Sequence, residues 1–211
     1  MHGKEGALTP RVIVFDIGNV LLDWDPRHLY RRIFTDAARM EWFLENVCHQ
    51  TWNREQDRGR AWAEAVAERI AAHPDWENEI RAFDARWHET VAGEIEVNVR
   101  LLEALKAAGW PLYSITNFSR EKFAECRERY AFMRLFDGIV VSAHDGLMKP
   151  EPAIYRVLLD RYRLKPAECL LIDDVLENCE GAEAVGMRAL HAPPGFDLAA
   201  GLARFGVVVE S

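Results

Sequence analysis

The apolar positions along the chain follow two rhythms. Short unbroken apolar runs, each closed by a polar residue, read as strands buried on both faces. They occupy 12–15 (VIVF), 110–115, 138–142 (GIVVS), 169–172 (CLLI) and 188–191. Between them, spacings of three and four predict helices. One covers 98–108, with Val99, Leu101, Leu102 and Leu105 inward; others cover 119–129, 152–162 and 177–185. Gly109 and Gly186 act as stop signals and Pro152 suits a first helical turn. A further strand is expected in the tail, over 206–210.

Strands alternating with helices imply an α/β fold, a doubly wound parallel sheet with right-handed crossovers. The stretch from His28 to about Val97 breaks the alternation. Leu29, Ile33 and Phe34 recur at helical spacing, as do Trp42, Phe43 and Val47, then Trp62, Val66 and Ile70. After a break at Pro74, Ile80, Phe83 and Trp87 continue the pattern. This insert is too long for a crossover. It is expected to form a smaller helical domain over 26–97, seated above the carboxyl edge of a core built from 1–25 and 98–211. Trp42, Trp52, Trp62, Trp76 and Trp87 are expected to pack between its helices. Trp52 is the expected exception, because it lies in the polar segment 49–59, HQTWNREQDRG. That segment reads as a helix and turn: either a solvated helix end or a substrate-facing part of a lid.

Composition narrows the partners. The 211 residues are 49% hydrophobic and 28% charged, with a formal net charge of -8. No basic stripe stands out, which argues against nucleic acid. Cys48, Cys126, Cys169 and Cys179 form no C-x-x-C pair, which fits reduced thiols in a cytoplasmic protein. The N-terminal MHGKEGALTP lacks a signal-peptide core and reads as a short flexible lead-in. No apolar run approaches a membrane span. A monomer or weak dimer is expected.

Candidate chemistry gathers at the carboxyl ends of the predicted strands, where ligands bind in open α/β sheets. Asp16 closes the first strand. Alone it reads equally as a turn cap, a nucleophile or a metal ligand. Thr116-Asn117 follow the second strand, Lys149 lies in the loop after the third, and Asp173-Asp174 follow the fourth. Together they suit phosphoryl transfer through a covalent aspartyl phosphate. Carboxylate and phosphate repel, so such a site needs Mg²⁺ and a lysine, with hydroxyl and backbone donors for the phosphate oxygens.

In order and spacing these motifs, FDIGNVLLD, ITN, MKPEPAIY and LIDDVLENCEGA, resemble the haloacid dehalogenase (HAD) superfamily. The likeness is to its phosphatase-rich branch with a helical cap, which includes α-glucose-1-phosphate phosphatases and the phosphatase domains of soluble epoxide hydrolases. The resemblance implies a HAD-like Rossmannoid core. It makes Asp16 the nucleophile and a metal ligand, with Thr116 and Asn117 binding phosphate. Lys149 then neutralises and orients. Mg²⁺ falls to Asp16, the Gly18 carbonyl and Asp174, supported from behind by Asp173 and Asn178. Asp57 is carried as a cap residue that meets substrate.

One departure stands out. The family's phosphatases usually carry a second Asp, a general acid and base, where this chain has Gly18. Such help typically contributes about 10²- to 10⁴-fold. Glu55, Asp57 and His49 are candidates to replace it, whereas Asp23 and Asp25 are expected to be structural. His73, His88 and His191 are expected to pack or face solvent. His144, after the third strand, is expected near the edge of the site, in a structural role. The leading reading is a Mg²⁺-dependent phosphatase acting on a small phosphorylated metabolite, a sugar phosphate foremost. A catalytically weak protein that binds a phosphorylated ligand is the alternative. A metal-independent 2-haloacid dehalogenase is the third, disfavoured by Gly18 and by the paired acids.

Overall fold

A computed structural model describes residues 9–209. The chain opens with strand β1 (Val12–Phe15), whose four residues are all buried. Strand β2 (Leu22–Trp24) follows, then helices α1 (Pro26–Tyr30), α2 (Ala37–Asn46), α3 (Gln50–Asp57), α4 (Trp62–Ala72) and α5 (Glu77–Ala85). Strand β3 (Val91–Glu94) pairs antiparallel with β2, so the five helices hang from a two-stranded ribbon. The rest alternates: α6 (Glu96–Ala107), β4 (Leu112–Thr116), α7 (Arg120–Arg129), β5 (Gly138–Val141), α8 (Ser142–Asp145), α9 (Pro152–Tyr162), β6 (Cys169–Asp173), α10 (Leu176–Glu183), β7 (Arg188–His191) and α11 (Leu198–Ala203).

The main sheet is parallel throughout, in the order β5-β4-β1-β6-β7. This is a doubly wound α/β fold with β1 at its centre. Side chains alternate across a strand, so the sheet feeds two cores. Ile13, Phe15, Leu170 and Ile172 face the larger one, against Leu102 and Leu105 of α6 and Leu198 and Leu202 of α11. Val12, Val14, Ile115 and Leu171 face the smaller one, against Ile154, Tyr155 and Leu158 of α9.

The inserted helices start where their sequence offers caps. The Asp25 carboxylate accepts the Arg27 N–H at 2.9 Å, with Pro26 in the first turn of α1. Asp36 caps α2, and His49 Nδ1 accepts the Trp52 N–H at 3.1 Å to cap α3. Tyr30 is fully buried among Phe34, Phe43 and Phe83. Gly59, with φ +118°, closes the turn after α3 where a Cβ would stand 3.2 Å from the Ala143 carbonyl of α8.

Several expectations need correction. The β2–β3 ribbon was not anticipated, because strands of three and four residues are too short to show a period of two. Trp52 is buried, packed edge-on against Trp62 at 5.8 Å, so it is no exception to helix packing. Trp42 is the exposed tryptophan, stacked on Trp76 at 5.7 Å. No strand forms over 206–209, and residue 210 lies outside the described residues, as does most of the lead-in.

Gly181 on α10 faces the loop after Lys149: a Cβ there would lie 2.6 Å from the Pro150 carbonyl oxygen. Gly181→Ala is expected to lower stability by roughly 1–3 kcal/mol through overpacking. Urea denaturation checks it; an unchanged midpoint would show that the loop yields freely.

Candidate active site

β1, β4 and β6 end side by side, and their last residues and the turns beyond them form the site. Asp16, one residue past β1, is 8% exposed. Its Oδ2 lies 2.7 Å from the Lys149 ammonium, and its Oδ1 accepts the Ile17 N–H at 2.7 Å. The same ammonium lies 2.6 Å from Asp173 Oδ2. Lys149 thus bridges two carboxylates with its side chain fully buried. Asp173 Oδ1 accepts from Asn178 Nδ2 at 2.8 Å and from the Val175 N–H at 3.0 Å. Every oxygen of Asp173 is therefore committed, which fixes the lysine between the strands.

Asn117 holds the lysine's backbone. Its Oδ1 accepts the Lys149 N–H at 2.9 Å and its Nδ2 donates to the Lys149 carbonyl at 3.0 Å. The following Lys149-Pro150 peptide is cis. Thr116 is buried at the end of β4, the strand paired with β1. Carboxylate oxygens of Asp16, Asp173 and Asp174 lie within 4.8 Å of one another, an oxygen-only set that suits a hard divalent cation.

The electrostatics favour such a cation. Burial raises the Asp16 carboxyl from an ordinary 3.8 to about 7, against the pull of Lys149. Burial also raises Asp174, with Asp173 adding to it. Burial works against the charge on Lys149, and Asp16 and Asp173 outweigh it, so its pKa lies above the ordinary lysine value. The ammonium stays charged while the carboxylates remain short of positive charge.

A cavity of about 90 Å³ opens beside Gly18. Its walls are largely apolar, with Leu22, Trp24, Trp87, Val91 and Phe118, and its polar lining includes Asn53, Asp57 and Asn117. Nothing lies within 4 Å of the position a Gly18 Cβ would take. The inserted helices therefore deliver Asp57 to the space beside the strand ends. They do not deliver the other two cap candidates: His49 is used in capping α3, and Glu55 is exposed. His144 packs edge-on against Phe123 at 6.0 Å, and His191 Nε2 lies 2.9 Å from the Asp174 carbonyl, tying β7 to the acidic loop.

Two further residues shape the site, and only the second escaped sequence reasoning. Asn19 takes a left-handed φ of 54° and accepts the Trp24 N–H on its side chain, turning the chain from β1 into the ribbon. Its place after glycine in a turn was the available signal. Ser142, fully buried, accepts the Phe118 N–H at 2.9 Å and donates to the Asp57 carbonyl. A lone serine after a strand carries no such signal.

The model of the haloacid dehalogenase-like hydrolases matches residues 10–186. A sesquiterpene phosphatase of Aspergillus oryzae is 30% identical over 186 residues, covering 87% of this chain and 90% of that protein. A 5'-nucleotidase of Pseudomonas aeruginosa is 30% identical over 209 residues, covering 92% and 87%. Among solved structures, a HAD family enzyme of Bacteroides thetaiotaomicron in complex with magnesium and inorganic phosphate superposes with a TM-score of 0.69. It is 20% identical and covers 90% of this chain and 98% of that one.

The raised Asp16 pKa makes stability depend on pH. The folded carboxyl titrates at about 7 against an ordinary 3.8, so its contribution is full below about pH 4 and lost as pH rises through about 7. In chelator, the stability of the wild type relative to Asp16→Asn is expected to fall across that window. Mg²⁺ added at neutral pH is expected to reverse the loss. Urea denaturation at several pH values measures both; a pH-independent difference contradicts the assignment.

Proposed function

The chain belongs to the haloacid dehalogenase-like hydrolases and is an enzyme acting as a phosphatase, and we propose that it hydrolyses a small phosphate monoester through an aspartyl phosphate on Asp16. The observation that carries this reading is the buried Asp16–Lys149–Asp173 bridge at the strand ends. A carboxylate held there keeps partial exposure and unused lone pairs with which to attack phosphorus, and the lysine offsets the charge that phosphate brings.

Asp16, Asp174 and the Gly18 carbonyl would hold Mg²⁺, with Asp173 and Asn178 fixing the lysine and the acidic loop from behind. When bound, the metal supplies positive charge to the phosphate oxygens and to the attacking carboxylate. Thr116 donates its hydroxyl to a phosphate oxygen. Asn117 contributes by positioning Lys149, since both ends of its amide are spent on that residue's backbone. Lys149 keeps its charge through the cycle.

The leaving group enters from the cavity beside Gly18. Trp24 and Trp87 together with Asn53 and Asp57 suit a compact hydroxylated group such as a sugar, with apolar contact from the indoles and hydrogen bonds from the polar side chains. The small volume favours a compact headgroup over a long chain wholly enclosed. The helical insert over 26–97 acts as the cap that supplies this selectivity.

Hydrolysis of p-nitrophenyl phosphate is expected to require Mg²⁺ and to stop in EDTA. Asp16→Asn is expected to lower it by about 10⁴-fold or more, as loss of a nucleophile does. Absence of Mg²⁺-dependent phosphate release across a broad ester panel, sugar phosphates included, would sink the reading.

A further inference from the structure

We propose that Asp57, delivered by the inserted helices, is the general acid and base of this site, working from the wall of the same cavity in which Gly18 leaves a side chain missing. The inference rests on the phosphatase reading above.

The geometry is complementary. Gly18 leaves open space where a side chain would project, and Asp57 lines the same cavity of about 90 Å³. Among the described residues, Asp57 is the only titratable side chain in that lining. It sits at the C-terminal end of α3, and its main chain is held to the core. Ser142 Oγ donates to its carbonyl, and Arg58 beside it lies 2.6 Å from Glu151 across the gap between cap and core. Trp62 Nε1 donates to Ser119 Oγ at 2.8 Å, fixing the next helix to the same loop. The carboxylate is thus placed by rigid elements, as acid–base catalysis requires.

The surroundings suit a carboxyl that exchanges protons near neutrality. Burial raises Asp57 from an ordinary 3.8 to about 7. The Ser119 N–H donates to it and opposes the rise, as does Arg54 on its own helix; Asp16 across the site adds to the rise. The other charged groups nearby are spent elsewhere: Arg58 on Glu151, Arg120 on the Ala143 carbonyl, and Lys149 on Asp16 and Asp173.

The cycle balances with water alone. An Asp16 oxygen bonds to phosphorus as the ester P–O bond breaks, and the departing alkoxide takes the proton of the Asp57 carboxyl. Water then attacks the phosphorus of the aspartyl phosphate and gives a proton to the Asp57 carboxylate. The bond from phosphorus to Asp16 breaks, inorganic phosphate leaves, and both side chains return to their starting states.

The test compares esters of different leaving-group acidity in the Mg²⁺-loaded enzyme. Asp57→Asn is expected to slow an alkyl phosphate by about 10²- to 10⁴-fold. The burst of 2,4-dinitrophenolate from its phosphate ester is expected to slow by less than about tenfold, because that leaving group needs no proton. The alkaline limb of kcat/KM for the alkyl ester, falling above about pH 7, is expected to vanish in the variant. Gly18→Asp added to Asp57→Asn is expected to recover alkyl ester turnover, since the space at Gly18 is open. Equal slowing of both esters, or an unmoved limb, overturns the assignment while leaving the phosphatase reading intact. A wild type inactive on every ester overturns that reading instead. Thermal unfolding and Mg²⁺ binding by the variants separate these outcomes from misfolding.

Discussion

One buried ammonium governs the structure. Lys149 draws Asp16 from the end of β1 and Asp173 from the end of β6 onto a single, fully buried charge. Removing the lysine would leave the buried carboxylates uncompensated, which costs several kcal/mol in typical cases. The arrangement remains unbalanced even when intact. Three carboxyl groups, Asp16, Asp173 and Asp174, gather beside one lysine, so their full ionisation would leave two negative charges without a partner. A divalent cation closes that balance, and a phosphate then finds a site that does not repel it. The sheet order serves this end: β1 lies between β4 and β6, which places Thr116, Asp16 and Asp173 on neighbouring strand ends.

The inserted helices are fastened to the same edge. Ser142 carries a hydrogen bond from the core into α3, Trp62 reaches Ser119, and Lys122 joins α7 to Asp84 of α5 at 2.8 Å. These contacts fall on the last turn of α3, the first of α4 and the last of α5. The remaining insert packs around Tyr30 and Phe43. Those rings belong to the same buried cluster as Ile13 and Phe15 of β1, so the insert and the sheet share one core.

The sequence carried the parts of the fold that repeat a strong local signal. β1 and β6 are unbroken apolar runs, and both appear where their composition places them. The alternation of strands and helices implied the parallel sheet, and the motif order brought Asp16, Lys149, Asp173 and Asp174 together. What stayed hidden depended on contacts distant in sequence. The β2–β3 ribbon joins Leu22 to Glu94, and neither strand is long enough to show a period. Trp52 looked exposed because its sequence neighbours are polar, yet one helical face of that segment, Trp52, Asn53 and Gln56, is buried. Asn117 looked like a phosphate ligand, whereas its amide is consumed in holding Lys149.

Gly18 shows why the site must be read across both parts of the chain. A glycine there keeps the turn after β1 and removes the side chain that would otherwise occupy the cavity. The space is walled instead by residues from β2, α3, β3 and the loop after β4. In the proposed reaction the leaving group contacts the inserted helices at the point where its oxygen separates from phosphorus. Selectivity and protonation become coupled, because the wall that recognises the leaving group is the wall that carries the acid. A substrate too small to press against that wall would lose rate as well as affinity, which is the signature of binding energy spent in the transition state.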